Sequence, residues 1–248
     1  IDQYDVFIIQ GMGSRRWRVG DKLPMRQFCP HPALLHVDPF PPIIDEDLEP
    51  GDILYIPPGF PHDGVTHETA LNYSVGFRGP NGRDLISSFA DYVLENDLGG
   101  EHYSDPDLTC REHPGRVEEY ELERLRNMMI DMIRQPEDFK QWFGSFVTTP
   151  RHELDIAPAE PAYEEAEVVD ALLGGEKLSR LSGLRVLHIG DSFFVHSEQL
   201  DTTDAGALDA LCRYTSLGQE ELGRGLKNPA FVSELTRLIN QGYWYFEE

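Results

Sequence analysis

The feature that most constrains this chain is the segment PGDILYIPPGFPH at residues 50–62. Gly51 permits a tight turn into the short apolar strand Ile53–Ile56, and the Pro-Pro-Gly sequence that follows turns the chain sharply again. His62 comes soon after this rigid corner, so its imidazole is expected to project from a strand end into the mouth of a β-barrel. This position makes His62 a candidate metal ligand, although an isolated His is more often a core or surface residue.

Residues 1–83 contain short strands separated by turn signals. The pattern predicts strands at Val6–Gln10, Arg15–Val19, Ile53–Ile56 and Ala70–Phe77, with a hairpin turn at Gly11–Ser14. The segment Leu23–Pro42 is rich in Pro and His and is predicted to be a loop. Because no helical period runs through this part of the chain, it favours an all-β barrel or sandwich.

The pattern changes at residue 84, where apolar residues recur at helical spacing. Helices are predicted at Asp84–Asp97, Val117–Arg134 and Pro136–Phe146, each with a wide apolar stripe. Such stripes favour a helical bundle or a dimer surface formed by residues 84–155. The alternative is that these helices simply cover the barrel.

Residues 156–248 begin within a Pro- and acid-rich linker, Pro150–Ala166, and are interpreted as a small α+β unit. Helices are predicted at Glu165–Leu173, Ala205–Tyr214, Glu220–Gly225 and Pro229–Asn240, and strands at Lys177–Leu181, Leu184–Ile189, Ser192–Val195 and Tyr243–Phe246. This mixture of helices and small hairpins resembles a winged helix. The last helix holds only Arg237 as a base, which favours a protein contact or a structural role over DNA binding.

Charge and cysteine content narrow the function classes. The formal net charge of −23 repels nucleic acid phosphates and would attract a basic partner, although an acidic surface also serves solubility. The three cysteines are widely spaced and form no C-x-x-C pair, which suits a reducing cytoplasm and argues against a disulfide framework. No segment approaches the roughly 20 apolar residues that cross a membrane. The sequence therefore predicts a cytoplasmic protein.

A metal ion at His62 needs further ligands from another strand. Non-haem iron oxygenases hold the metal with two His and one carboxylate on one face, commonly as H-x-D followed by a later His. Asp2 precedes His62 by 60 residues and is the candidate carboxylate, although by position alone it could be an ordinary terminal acid. The chain opens inside a strand-like run without an initiator Met, so we interpret it as a fragment. The first His of the triad would then immediately precede Ile1.

Several segments together resemble one known family. Residues 50–62 match the second cupin motif, G-x5-P-x-G-x2-H, through its His. With DQYDVFIIQG at residues 2–11, RRWRVG at 15–20 and NYSVGFR at 72–78, the chain resembles the bacterial ribosomal oxygenases of the JmjC (cupin) class. The resemblance implies an α+β chain with three parts: a double-stranded β-helix barrel portion over residues 1–83, a helical dimerisation domain over 84–155 and a winged-helix-like domain over 156–248.

The resemblance also implies a reaction, in which Fe(II) and 2-oxoglutarate serve to hydroxylate Cβ of an arginine on large-subunit ribosomal protein L-sixteen. Asp2 and His62 would hold the iron, and Arg15 would grip the distal carboxylate of 2-oxoglutarate. Alternation along the last strand places Asn72 and Ser74 on one small, polar face. Asn72 could bond the co-substrate and Ser74 the substrate, or both could merely satisfy polar groups of the barrel. A homodimer formed through residues 84–155 is expected.

Two other functions stay open at this stage. A protein of the same fold could hydroxylate a histidine or lysine of another protein, because the barrel motifs do not separate these targets. The chain could also be a non-catalytic acidic binding module, because one expected metal ligand is absent from the sequence. Metal content would separate the enzyme from the binding module.

Overall fold

The fold is described from a computed structural model of the chain, which describes residues 1–31, 34–113, 115–201 and 204–247. The chain divides into two compact units, Ile1–Leu85 and Ile86–Glu248. We call them the N-terminal and C-terminal units and take each by itself.

The N-terminal unit is built from antiparallel strands. They are β1 (Asp5–Met12), β2 (Arg15–Gly20), β3 (Gln27–His31), β4 (Leu34–Val37), β5 (Pro42–Leu48), β6 (Ile53–Ile56), β7 (His62–Thr66) and β8 (Leu71–Phe77). One sheet has the order β6-β1-β8, a second has the order β5-β2-β7, and β3 pairs with β4.

One small core joins the two three-stranded sheets. Its fully buried members come from β1 and β6 of one sheet and from β2 of the other: Val6, Ile8, Leu54, Ile56, Trp17 and Val19. Alternation explains this selection, because every second residue of a strand faces the same side. The two sheets therefore pack face to face over their apolar sides, which gives the barrel that the strand pattern predicts.

The predicted hairpin at Gly11–Ser14 is wrong. Strand β1 pairs with β6 and β8, whereas β2 pairs with β5 and β7, so the two consecutive strands lie in different sheets. The turn at residues 11–14 carries the chain across the barrel rather than back along the same sheet. Turn residues indicate that the chain changes direction, but they do not determine which strand pairs with which. Strand pairing also depends on segments that are distant in sequence.

The predicted loop at Leu23–Pro42 is also wrong in part, although its residues 32 and 33 lie outside the described residues. Strands β3 and β4 form an antiparallel pair within it, with Gln27 opposite Val37 and Phe28 opposite His36. Proline and histidine content argued for a loop, yet a short strand pair tolerates proline where the ladder is irregular. The pairing has an irregularity between Phe28 and His31.

The C-terminal unit combines helices with two small sheets. The helices are α1 (Gly82–Glu95, which begins at the end of the N-terminal unit), α2 (Glu119–Ile133), α3 (Pro136–Thr148), α4 (Glu165–Leu173), α5 (Ala205–Arg213), α6 (Gln219–Leu222) and α7 (Pro229–Asn240), with a 3-10 turn at Gly223–Lys227. The strands are β9 (Leu178–Arg180), β10 (Val186–Ile189), β11 (Ser192–Val195), β12 (Glu198–Leu200), β13 (Ser216–Leu217) and β14 (Trp244–Phe246). The sheet orders are β10-β11-β12 and β13-β9-β14.

The predictions for this unit succeeded best where a capping signal and an apolar period coincide. The bounds of α4, β11 and α7 agree with the predicted ones. Asn228 begins α7 by accepting the backbone N–H of Ala230, and Pro229 occupies the first helical position. The short strands β12 and β13 were not predicted, because two or three residues are too few to show the alternation of apolar and polar side chains that marks a strand.

Helix α3 packs against the sheet β10-β11-β12. Gly144 lies against the ring of Phe194, and a Cβ at Gly144 would come within 2.5 Å of that ring. The buried hydroxyl of Thr148 donates to the Gly144 carbonyl and accepts the backbone N–H of Ser197. The helix predicted as part of a dimerisation segment is therefore also part of the packing of the C-terminal sheet. The predicted domain boundary between residues 155 and 156 stays a prediction.

Among the residues that the structure describes, no helix has the length and apolar character needed to cross a bilayer.

Candidate active site

Asp2 and His62 meet at one end of the N-terminal unit. The Oδ2 atom of Asp2 lies 3.2 Å from Nε2 of His62, and their side chains are 35% and 14% exposed. Asp2 precedes β1, whereas His62 is the first residue of β7, so the two sheets bring together residues that are distant in sequence. A carboxylate and an imidazole at this separation can share one metal ion.

The ring of His62 is oriented by the backbone at the Pro-Pro-Gly corner that precedes it. Its Nδ1 lies 3.0 Å from the carbonyl oxygen of Phe60, a distance at which a protonated Nδ1 donates to that oxygen. This tautomer leaves the lone pair of Nε2 on the side of Asp2, which is the arrangement that metal-binding histidines use. The Phe60 carbonyl thus helps to position the imidazole and gives the Nδ1–H tautomer an acceptor.

The pair supplies two of the ligands that a metal site requires. Within the described residues, no group of three His, Cys, Asp or Glu side chains is placed to hold a metal ion. The assignment of Asp2 and His62 as ligands stays a prediction, and so does the third ligand before Ile1. The donors present, one carboxylate and one imidazole, fit the chemistry of a non-haem iron site.

Arg15 lies in the barrel on β2 and is held by two hydrogen bonds. Its Nη1 donates to Oδ1 of Asn72 at 2.9 Å, and its Nη2 donates to the Gly64 carbonyl at 3.0 Å. The structure therefore brings together Arg15 and Asn72, the two residues that were predicted to bind 2-oxoglutarate. The Nε of Arg15 is buried and has no hydrogen-bond partner among the described residues.

Trp17 is a residue of this site that the sequence reasoning missed. It is only 7% exposed, its indole N–H has no hydrogen-bond partner in the described part of the chain, and the Arg15 guanidinium lies 4.8 Å from its ring centroid. Buried donors without partners are costly, so the unpaired Trp17 N–H and Arg15 Nε–H fit a ligand that brings acceptor oxygens. The signal was available, since Trp17 follows Arg15 by two residues and shares its face of the strand.

Ser74 lies two residues from Asn72 on β8, opposite Ile8 in the register with β1. Strand alternation places it on the same side as Asn72, and its exposure makes it accessible to a ligand that enters the barrel.

The other two arginines of β2, Arg16 and Arg18, have acidic partners: Arg16 binds Asp45 at 2.7 Å, and Arg18 lies 3.5 Å from Asp63. Arg15 is thus the cation of this strand that faces Asn72.

Both units match known protein families. Residues 1–85 match the family described as the JmjC domain, and residues 131–245 match the family described as the ROXA-like winged helix. The chain is 60% identical over 247 residues to an Escherichia coli (strain K12) protein named ribosomal protein uL16 3-hydroxylase. This match covers 100% of the chain and 66% of that relative, so the chain spans just under two thirds of the relative's length.

Two solved structures are similar over the whole chain. An X-ray structure of E. coli YcfD has a TM-score of 0.94 at 60% identity, and the match covers 100% of this chain and 66% of that one. A structure described as YcfD, a ribosomal oxygenase from E. coli in complex with cobalt and 2-oxoglutarate, has a TM-score of 0.91 at 57% identity, with the same coverage. These matches confirm the predicted α+β class, with its JmjC barrel portion and its winged helix. The chain therefore carries a JmjC domain over residues 1–85 and a ROXA-like winged helix over residues 131–245, and it is similar over its whole length to the ribosomal oxygenase of E. coli.

Proposed function

We propose that the protein is an Fe(II)- and 2-oxoglutarate-dependent oxygenase that hydroxylates Cβ of an arginine on large-subunit ribosomal protein uL16. One observation carries the proposal: the Asp2–His62 pair and the Arg15–Asn72 pair lie in one barrel. The names of the E. coli relative and of its complexes with cobalt and 2-oxoglutarate or succinate support it.

Asp2 and His62 would supply a carboxylate oxygen and Nε2 to the metal, with a histidine before Ile1 as the third ligand. Three protein ligands on one face leave positions for the co-substrate and dioxygen. When bound, iron and 2-oxoglutarate couple oxidative decarboxylation of the co-substrate to hydroxylation of a C–H bond.

The protein's own contribution is to bind and to orient. Arg15 would hold the distal carboxylate of 2-oxoglutarate through charge-assisted hydrogen bonds, and Trp17 Nε1 would add a donor from the same face. Asn72, which already accepts from Arg15, would keep the guanidinium aimed into the barrel. Ser74 would contact the incoming arginine. The buried apolar residues around Trp17 would limit the access of water.

The target is proposed from the relative's name and from charge. A net charge of −23 would steer a basic ribosomal protein toward this surface and would disfavour direct contact with ribosomal RNA. A ribosomal target also predicts a cytoplasmic location.

The test is to incubate the complete encoded protein with Fe(II), 2-oxoglutarate and uL16. We expect formation of succinate and a mass gain of one oxygen atom on one arginine of uL16. Replacement of that arginine by lysine should abolish the mass gain. If the oxygen appears instead on a histidine or lysine of another protein, the target is wrong while the chemistry stands. If no metal binds and no succinate forms, the protein is a non-catalytic acidic module.

We further propose a homodimer through residues 84–155. Helix α2 has no buried residue, and its apolar stripe is exposed: Leu122 45%, Leu125 45%, Met129 65% and Ile133 47%. A groove of about 740 Å³ next to this stripe is lined by Phe89, Val93 and three methionines. A continuous exposed apolar stripe is the usual mark of a protein interface, and a second copy would cover it symmetrically.

Light scattering after size exclusion tests the dimer. Met129→Glu should convert a dimer to a monomer, because it places a charge in the apolar contact. Glu123→Gln, on the polar side of the same helix, should leave the dimer intact. A monomeric unaltered protein, or a dimeric Met129→Glu variant, would refute this interface.

A further inference from the structure

A cavity of about 350 Å³ opens in the C-terminal unit beside its last strand. The segment before α4 forms one side, and residues of α7 and β14 form the other. Three aromatic side chains line it, Tyr163, Tyr245 and Phe246, and most of the remaining lining is alanine, proline or isoleucine. These residues are separate from those of the candidate active site.

The aromatic side chains are held in position before any ligand binds. The rings of Tyr163 and Phe246 meet edge to face, with centroids 5.4 Å apart. Asn240 fixes Tyr163 at both ends of its backbone, since it accepts the Tyr163 N–H at 2.8 Å and donates to the Tyr163 carbonyl at 3.0 Å. Even so, Tyr163 and Tyr245 remain 37% and 50% exposed. The cavity is thus preorganised and accessible, which lowers the entropic cost of binding.

The charged groups of the cavity are both acidic. Glu160 and Glu167 belong to its lining, and among the described lining residues none is basic. One carboxylate oxygen of Glu167 accepts the Glu164 N–H at 2.8 Å, so this side chain is fixed, whereas Glu160 is exposed. The faces of tyrosine and phenylalanine rings attract cations, and nearby carboxylates add to that attraction.

We propose that this cavity binds a cationic side chain of a basic protein partner, and that arginine fits it best. A guanidinium is planar, so it can stack on the exposed face of Tyr245 while it donates to the carboxylate of Glu160. Residues 156–248 carry 16 acidic and 7 basic residues, so a basic polypeptide is drawn to this unit and nucleic acid is repelled. The site goes beyond the proposed hydroxylation, because it would hold the partner at a point other than the reacting arginine.

Tyrosine-ring NMR of the whole chain tests the site without metal or 2-oxoglutarate. The probe is the peptide acetyl-Gly-Arg-Gly-Arg-Gly-amide, and its uncharged control has glutamine in place of both arginines. We expect the Tyr163 and Tyr245 ring signals to shift and to saturate with the arginine peptide only. Tyr245→Leu and Glu160→Gln should each weaken binding about three-fold or more. Glu165→Gln removes an equal charge from an exposed position outside the cavity and should bind as the unaltered protein does.

Two results would overturn the proposal. Equal shifts with the glutamine peptide would show that the cavity does not select a cation. Equal loss of affinity in Glu165→Gln and Glu160→Gln would show general attraction to an acidic surface. Because no hydroxylation is measured, either failure leaves the proposed enzyme untouched, and an inactive enzyme would leave this site untouched.

Discussion

Gly59 donates its backbone N–H to the carbonyl oxygen of Asp2 across 2.8 Å. This bond ties the residue that precedes the first strand to the Pro-Pro-Gly corner that carries His62. The two candidate ligands are therefore positioned by the backbones of both segments and not only by their side-chain rotamers. Sites held in this way lose little freedom when a metal binds.

The first prediction concerns the metal. His62→Ala should weaken Co(II) binding by the complete encoded protein about 100-fold or more, because it removes a ligand rather than a supporting contact. Calorimetric titration with Co(II) measures the affinity. His67→Ala is the matched control, since His67 is an exposed histidine five residues away, and it should bind Co(II) normally. Unchanged affinity in His62→Ala would remove His62 from the site.

The second prediction concerns the co-substrate. Arg15→Met should weaken 2-oxoglutarate binding about ten-fold or more, because a hydrogen bond to a charged group contributes about 1.5–3 kcal/mol. Calorimetry with the Co(II)-loaded protein separates this loss from any loss of metal. Arg16→Met is the control, since the Arg16 side chain is 48% exposed and pairs with Asp45. Equal effects of the two variants would show that Arg15 has no special role.

Gly64 gives a third prediction. A Cβ at this position would lie 2.8 Å from Nε of Arg15 and 3.0 Å from two atoms of the Trp17 ring. Gly64→Ala should therefore displace both side chains and weaken 2-oxoglutarate binding, while Co(II) affinity stays within about two-fold, since neither side chain is a proposed ligand. A Cβ at Gly79 meets nothing within 4 Å, so Gly79→Ala is the control. Parallel loss of metal and co-substrate would point to general unfolding instead.

The barrel site was predictable where its signal is local. The corner before His62 is encoded by consecutive residues, and alternation along β8 predicted that Asn72 and Ser74 share one face. The role of Arg15 was implied by the family resemblance. The 2.9 Å hydrogen bond between Arg15 and Asn72 could not be predicted from the sequence, because it depends on how the two sheets pack together. Strand partners were mispredicted for the same reason: the β1–β2 turn has the residues of a hairpin but joins two sheets. Trp17 was overlooked because an aromatic residue on a strand usually signals only a core position.

A fourth prediction follows from Cys212. Burial raises the pKa of its thiol to about 11, with a further contribution from Asp209. At pH 8 the reactive thiolate is therefore scarce at Cys212, whereas Cys29 and Cys110 are exposed. A chromogenic thiol reagent should label two thiols quickly and the third slowly, and all three quickly in denaturant. Mass mapping should find Cys212 in the slow fraction, and rapid labelling there would contradict its burial.

The fifth prediction is a dependence of stability on pH. The guanidinium of Arg111 donates to both carboxylate oxygens of Glu121, and these bonds hold the pKa of Glu121 below its usual value of 4.5. A lowered pKa in the folded state gives stability that is present above the unfolded pKa and is lost as the pH falls through the folded one. The Tm should therefore fall on acidification from about pH 5 to about pH 3, and less steeply in Glu121→Gln.

Glu119→Gln is the control for this measurement. The Glu119 side chain is 81% exposed and lies 3.9 Å from Arg126, a weaker pairing. This variant should keep the slope of the unaltered protein. Identical slopes in all three proteins would show that the Arg111–Glu121 pair does not contribute to the acid sensitivity.

The packing of α3 on the β10-β11-β12 sheet determines where the chain can be truncated without loss of packing in the C-terminal unit. The side chain of Phe194 is fully buried, and Gly144 covers one face of its ring. A shortened protein that starts at the Pro-rich linker would uncover the face of the Phe194 ring that Gly144 contacts and would lose the hydrogen bond between the Ser197 N–H and the Thr148 hydroxyl. One that starts ahead of Pro136 keeps both. A fragment that keeps this packing therefore has to include α3 as well as the residues that follow the linker.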